Sequence, residues 1–280
     1  MFSCDEPTAA LIRQALREDA ADNDITALAT VPPSRLSRGE IVAKAPGVLS
    51  GCAIAAACFH AVDSAIDCRW LVEDGARVAP GTRVAELHGP TRSLLAAERT
   101  ALNFLQHLSG IASATARFVA RVAGTGCAIY DTRKTLPGMR AAAKAAVVHG
   151  GGRNHRADLA GGFLIKENHI LAAGSIGAAV ARCRAAGSDR WIEVECETVA
   201  QVEEAAALAP ELILLDNMAI GEVRRARAIV PRGGPTRLEA SGGITLENVR
   251  AYAECGVERI AVGAITHSAP ALDLSLLLRS

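Results

Sequence analysis

The chain has 280 residues, half of them hydrophobic, enough for one large domain or two of ordinary size with a sizeable core. Its 30 basic and 30 acidic residues balance, which argues against a nucleic-acid or membrane partner held by bulk charge and leaves a locally basic pocket open. The N-terminus carries Asp5, Glu6, Glu18 and Asp19 and no apolar stretch of signal-peptide length, and no run reaches the roughly 18 apolar residues that span a bilayer, so a soluble cytoplasmic protein is expected.

Residues 8–20 read as a short helix, with Ala9, Leu11, Ile12, Ala15 and Leu16 between charges. From 38 to 90 the texture changes to short β-type runs such as GEIVAKAPGVLSG and TRVAELHG, separated by glycine and proline turns. A long helix follows over about 93–122, where Leu94, Leu95, Leu102, Leu105, Leu108, Ile111, Phe118 and Val119 recur at helical spacing and Gly124 lies beyond the end. From 127 onward short apolar runs alternate with alanine-rich stretches: CAIYD (127–131), FLIKE (163–167), WIEVE (191–195), LILLD (212–216), RLEAS (237–241) and RIAVG (259–263). Spacings of 21–36 residues between their starts predict βα units and a parallel sheet; hairpin signals for a sandwich are absent.

The runs end in Asp131 followed by Arg133 and Lys134, then Lys166, Glu195, Asp216, Ser241-Gly242-Gly243 and Gly263. One polar strand end means little. Six in succession point to a barrel whose strand C-termini share an anion-handling pocket, with the SGGI and VGAI turns placed to hold a phosphate on backbone N–H groups.

The densest chemistry lies in DTRKTLPGMR, HGGGRNHRADL and LIKENHI. Arg133, Lys134, Arg156 and Lys166 supply fixed positive charge, and His155 adds a donor. A solvated basic face is the plain alternative, and it fits badly because Lys166 directly follows the apolar Phe163-Leu164-Ile165. Lysine occurs only at 44, 134, 144 and 166, so three fall within 33 residues of a chain whose default cation is arginine. Gly150-Gly151-Gly152 reads either as a flexible connector or as backbone free to approach a ligand. Glu195 and Asp216 fit an acid/base pair, magnesium ligands or acceptors for ribose hydroxyls, and Asp216 alternatively fits a helix N-cap. Arg99 alone would pass as a surface residue. The eight cysteines (Cys4, Cys52, Cys58, Cys68, Cys127, Cys183, Cys196, Cys255) form no CxxC and read as reduced, mostly buried thiols; the histidines have no metal-site spacing. VAKAPGVLSG with VEDGARVAPGTRVAEL is similar to the half-repeats of lipoyl and biotinyl carriers, but the 73–82 turn has no lysine to carry the group, which leaves a β-rich accessory domain.

Together ERTALNFLQHLSGIA (98–112), DTRKTLPG (131–138), GGGRNHR (150–156), LIKENHI (164–170), EVE (193–195), DNM (216–218), EASGGI (239–244) and VGAITHS (262–268) resemble the quinolinate phosphoribosyltransferase family, in family order and over essentially the whole chain. The resemblance implies an α/β fold: an N-terminal α/β sandwich-like domain over 1–112 and an incomplete, seven-stranded α/β barrel over 113–280, with the last strand and tail free to pack back on the first domain. It implies a homodimer, with a hexamer built from it as the larger alternative, and no nucleic-acid or membrane partner. Carried over by position, Arg99 reaches the neighbouring subunit's quinolinate site, and Thr132, Arg133, His155 and Arg156 surround the quinolinate. Lys134 and Lys166 stand between the dicarboxylate and phosphoribosyl pyrophosphate. Glu195 and Asp216 lie near the ribose and the magnesium pyrophosphate, and Ser241, Gly242, Gly243, Gly263, Ala264 and Ile265 cradle the 5′-phosphate. Lys134, Lys166, Glu195 and Asp216 are the expected catalytic set, with Mg2+ brought by the phosphoribosyl donor. The chain departs from the family pattern at Ala145, Val148, Ala157, Gly161 and Glu167, which touches local packing rather than any matched ligand. The paralogue of molybdenum transport operons shares DTRKT and the glycine run, and is disfavoured because LIKENHI keeps its lysine and NHR is intact.

Overall fold

The computed structural model describes residues 5–279 and divides into two compact units, 1–116 with 135–151 and 266–280, and 117–134 with 152–265.

The first unit opens with helix α1 (Glu6–Glu18), capped by Asp5, whose carboxylate accepts from the Thr8 N–H at 3.1 Å, and buries Ile12 and Leu16 one turn apart. Helix α2 (Ile25–Thr30) is capped in the same way by Asp24. Strands β1 (Leu36–Ala43), β3 (Asp67–Trp70) and β5 (Arg83–Pro90) join β12 (Leu274–Arg279) in an antiparallel sheet of order β12-β1-β5-β3, and β2 (Gly47–Val48) pairs with β4 (Arg77–Val78). One element breaks the expected run of β structure between 38 and 90: Cys52–Val62 is a helix, α3. The segment CAIAAACFHAV is apolar on nearly all sides, so periodicity gives no signal, and alanine content decides for helix. The 32-residue helix α4 (Thr91–Val122) buries Leu94, Ala97, Ala101, Leu105, Leu108 and Ala112 along one stripe. Helix α5 (Arg140–His149) also belongs to this unit, and Gly150 behind it explains part of the glycine run. A Cβ there would lie 2.4 Å from the Ala112 carbonyl oxygen of α4, and Gly151 follows at φ 83°. These two glycines serve chain packing and a left-handed turn rather than a ligand.

The second unit carries the parallel sheet: β6 (Ala128–Tyr130), β7 (Phe163–Ile165), β8 (Ile192–Cys196), β9 (Leu212–Asp216), β10 (Arg237–Ser241) and β11 (Arg259–Ala261), in the order β6-β11-β10-β9-β8-β7. Helices α6 (Glu167–Ala173), α7 (Ile176–Ala185), α8 (Val199–Ala207), α9 (Ile220–Ile229) and α10 (Val249–Glu254) fall between strands, and α11 (Ala264–His267) follows the last. Because the first strand pairs with the last, the sheet curls toward a barrel. Six strands form where seven are implied by resemblance. The missing one is reduced to a single parallel bridge, Tyr130 to Arg153, because glycines precede that residue and resist extended pairing. The barrel therefore stays open between Arg153 and β7. Residues of β8, β9 and β10 are buried almost without interruption, as expected where helices cover a parallel sheet.

Candidate active site

The C-terminal ends of these strands surround a cavity of about 350 Å³. Just past β6, the fully buried Asp131 accepts the His155 main-chain N–H at 2.8 Å, which ties the 153–156 loop to the end of β6. Thr132 Oγ1 accepts from the Lys134 N–H at 3.0 Å and fixes the Thr132-Arg133-Lys134 turn. Arg156 Nη1 donates to the Gly162 carbonyl at 2.8 Å, while its Nε is buried without a hydrogen-bond partner. Burial, and then neighbouring Arg133, lowers the Arg156 guanidinium from its ordinary value. A buried orphan donor beside a second guanidinium is the setting into which an anionic oxygen fits.

Opposite, Lys166 caps α6 and its ammonium pairs with the Glu195 carboxylate across β7 and β8. Asp216 ends β9, and the helix after it is capped by Ala219, so the N-cap reading of Asp216 does not hold. Its Oδ2 instead accepts from Asn217 Nδ2 at 2.9 Å. Asn217 stands at φ 54° and donates its N–H to the Ser241 carbonyl at 2.9 Å, so the ends of β9 and β10 are clamped together. Gly242 lies against that asparagine, where a Cβ would come within 2.2 Å of Asn217 Oδ1. Asn248 holds the turn from the far side, donating to the Gly243 carbonyl at 2.9 Å.

Nine of the anticipated residues line the cavity: Thr132, Arg133, Lys134, His155, Arg156, Lys166, Glu195, Asp216 and Ser241. Gly242 and Gly243 continue the β10 turn, and Gly263, Ala264 and Ile265 follow β11 at the same end of the barrel, outside the lining. Arg99 is exposed on α4 in the other unit and is not among the lining residues. The other histidines with a visible partner serve the chain itself: His149 Nδ1 bonds Ser50 Oγ, His60 Nε2 the Ile66 carbonyl, His267 Nδ1 Ser268 Oγ, and His169 Nδ1 accepts from the Lys166 N–H. Among the described residues the cysteines are free, and burial first of all raises Cys68, Cys127 and Cys196 to about 12, which leaves them inert as nucleophiles; Cys4 lies outside the described residues.

Beneath the mouth sits a layer that the strand-end reading misses. Glu193 on β8 and Glu239 on β10 are fully buried, and Arg259 on β11 places its Nε 2.6 Å from Glu239 Oε2. His155 Nε2 is 2.9 Å from Glu193 Oε2 and 3.6 Å from Glu239 Oε1. Burial pushes both carboxyls up to about 7, and in Glu239 the Glu193 charge adds to the rise. The signal that could have found them is the strand period of two, which puts Glu193 on the face of Glu195 and Glu239 on the face of Ser241.

Residues 24–109 and 111–277 match the N-terminal and C-terminal domain descriptions of quinolinate phosphoribosyl transferase. The chain belongs to this family. It is 45% identical over 269 residues to the nicotinate-nucleotide pyrophosphorylase [carboxylating] of Mycobacterium leprae, covering 95% of each chain. To the human enzyme of the same name it is 39% identical over 276 residues, covering 96% of this chain and 91% of the other. The structure of the nicotinate-nucleotide pyrophosphorylase from Francisella tularensis superposes with a TM-score of 0.94 at 38% identity, covering 99% of this chain and 98% of that one. No helix among the described residues is long and apolar enough to cross a membrane.

Proposed function

We propose that the chain joins quinolinate to phosphoribosyl pyrophosphate and releases carbon dioxide and pyrophosphate, yielding nicotinate mononucleotide for NAD synthesis. The observation that carries the reading is the convergence of Arg133, Lys134, His155, Arg156 and Lys166 on one cavity that also holds two strand-end carboxylates, Glu195 and Asp216. Breaking the bond from ribose C1 to pyrophosphate develops positive charge on the sugar and negative charge on the leaving group. A site with fixed cations and fixed carboxylates stabilises both ends without reorganising. Arg133 and Arg156 suit the pyridine carboxylates, Arg156 with a buried Nε still able to donate. The ring nitrogen is the nucleophile, so orientation does the work that a serine or cysteine does elsewhere. Once alkylated, the ring is cationic and supports the electron pair left by the departing carboxylate.

Magnesium enters with the pyrophosphate donor. Asp216 fits it: its carboxylate oxygens are hard donors at the cavity wall, and only Oδ2 is engaged by Asn217. Glu195 fits less directly, because Lys166 already neutralises it. Bound there, the ion would offset charge on the leaving pyrophosphate. The reading includes a cytoplasmic homodimer in which Arg99 completes the partner's quinolinate site. The test is direct: purified protein given quinolinate, phosphoribosyl pyrophosphate and magnesium should form nicotinate mononucleotide and carbon dioxide in equal amounts. Nicotinate in place of quinolinate should react poorly, because one carboxylate leaves the cationic cluster unsatisfied; equal efficiency on nicotinate would refute the assignment.

A further inference from the structure

The buried layer, in which Glu239 reaches the cavity wall and Glu193 stands behind it, has no part in the chemistry above. Carboxylates placed behind a site for a dianion work against binding it, so what they contribute has to be geometric. Their partners show what that is. The ring of His155 is nearly buried, with 7% of its side chain exposed, and both of its nitrogens are engaged by the protein. Nδ1 accepts the Arg156 main-chain N–H at 2.8 Å, which leaves the proton on Nε2, and Nε2 points at Glu193 Oε2 at 2.9 Å. The Trp191 ring meets the imidazole edge-on at 5.4 Å and closes the remaining side. Arg259 reaches Glu239 from behind and stacks its guanidinium 3.9 Å over the Tyr130 ring, so this cation is itself fixed in the barrel wall. The three ligand atoms of His155, Glu193 and Glu239 lie within 4.8 Å of one another and resemble a metal site. Arg259 already supplies the positive charge there, and the inner edge of Glu239 is committed to it.

We infer that Glu193, with Glu239 and Arg259 beside it, is a positioning residue for the dicarboxylate end of the site, because it fixes the ring of His155 and through it the main chain of Arg156. The role rests on the function proposed above. It draws on strands β8, β10 and β11 at once, together with the bond from the His155 N–H to Asp131 past β6. The barrel wall thus holds a loop that has no strand of its own. Arg156 sits on that loop, and among the described residues its guanidinium hydrogen-bonds the Gly162 carbonyl. If the imidazole takes the other tautomer, Nδ1 no longer accepts from Arg156 and the guanidinium loses its register with Arg133.

Two measurements test this, and the first needs no variant. Nitrogen NMR of the full chain labelled at histidine, with His155 assigned by loss of its signals in His155→Gln, should show a neutral ring protonated at Nε2 at neutral pH. A ring protonated at Nδ1, or doubly protonated, overturns the inference whatever the substrate. The second compares Glu193→Leu with Glu193→Gln, whose amide oxygen can still accept from Nε2. The dissociation constant for quinolinate should rise at least about tenfold in Glu193→Leu and less in Glu193→Gln, while that for phosphoribosyl pyrophosphate stays within about twofold in both. Unchanged quinolinate binding in a folded Glu193→Leu, or equal loss of both ligands, refutes the role. Should Glu193→Leu not fold, Glu193→Met, which fills a similar volume without an acceptor oxygen, carries the same expectation. A wild-type protein that fails to bind quinolinate overturns the functional reading and this role with it, and the tautomer result distinguishes that case from a failure of the network alone.

Discussion

Replacing Gly242 by alanine, with Gly243 as its control, separates backbone strain from packing at the end of β10. Both glycines have positive φ, 85° and 58°, so each alanine meets the left-handed cost of about 1–2 kcal/mol, partly offset by about 0.4–1 kcal/mol from a stiffer unfolded chain. A Cβ on Gly243 would meet nothing within 4 Å, which leaves Gly243→Ala about 1 kcal/mol less stable than wild type. A Cβ on Gly242 would lie 2.2 Å from Asn217 Oδ1, 2.5 Å from its Cγ and 2.9 Å from its main-chain nitrogen. The asparagine side chain could swing aside, but its backbone is pinned to Ser241, so overpacking adds about 1–3 kcal/mol and the total reaches about 2–4 kcal/mol. Swinging Asn217 aside also frees Asp216, so kcat should fall in Gly242→Ala and hold in Gly243→Ala. Urea unfolding followed at Trp191 in a Trp70→Phe background reports on the barrel unit alone, since Trp70 lies in the other unit. Equal destabilisation by the two alanines, or full kcat in Gly242→Ala, would refute the reasoning.

Asp216→Asn and Glu195→Gln should each cost about 2–4 kcal/mol in turnover while quinolinate binding changes little, because both lie at the ribose end of the site; calorimetry showing lost quinolinate binding with ordinary saturated turnover would contradict that split. Arg99→Ala and Lys166→Ala homodimers should both be nearly inactive, and co-expressed heterodimers should recover up to about half the wild-type activity per dimer, since one site collects both lesions and the other neither. No recovery in verified heterodimers removes Arg99 from the partner's site. Glu193 and Glu239, raised by burial to about 7 from the ordinary carboxylate value, hold protons in the folded state that the unfolded chain releases. Their contribution is therefore most favourable below the ordinary carboxylate range and is lost as pH rises through about 7. Denaturation midpoints should fall between about pH 4.5 and 7 and level off above, with a shallower slope in Glu239→Gln; an unchanged slope argues against the raised carboxyls.

The parallel strands were legible because LILLD and its neighbours are buried on both faces and bounded by polar residues, and the cavity was legible because its outermost residues are those strand ends. What escaped was one layer deeper. Glu193 and Glu239 sit inside apolar runs as single acids, and only their shared face with Glu195 and Ser241 marks them as facing inward. Helix α3 escaped for the opposite reason: CAIAAACFHAV has too little polar contrast to show a period. Asn217 gives no warning in the sequence that it adopts a left-handed backbone, since that conformation is imposed by its bonds to Ser241 and Asp216. On sequence the glycine run fits a flexible connector as well as ligand access, and Gly150 in fact answers to the Ala112 carbonyl of α4, a neighbour far away in sequence.

The pairing of β12 with β1 has a consequence for the order in which the chain can fold. Glu40 and Arg279, joined at 2.8 Å, are 239 residues apart in the chain. During synthesis β1 therefore emerges long before the strand that covers its edge, and every strand of the barrel is made in between. Until β12 arrives, β1 presents unpaired backbone groups beside Ile41 and Ala43, open to strands of other nascent chains. Closing so long a loop costs only slightly more entropy than closing a short one, so the finished fold loses little stability by this arrangement. The burden falls on the interval before closure, in which the barrel can be complete while the first sheet still waits for its last strand.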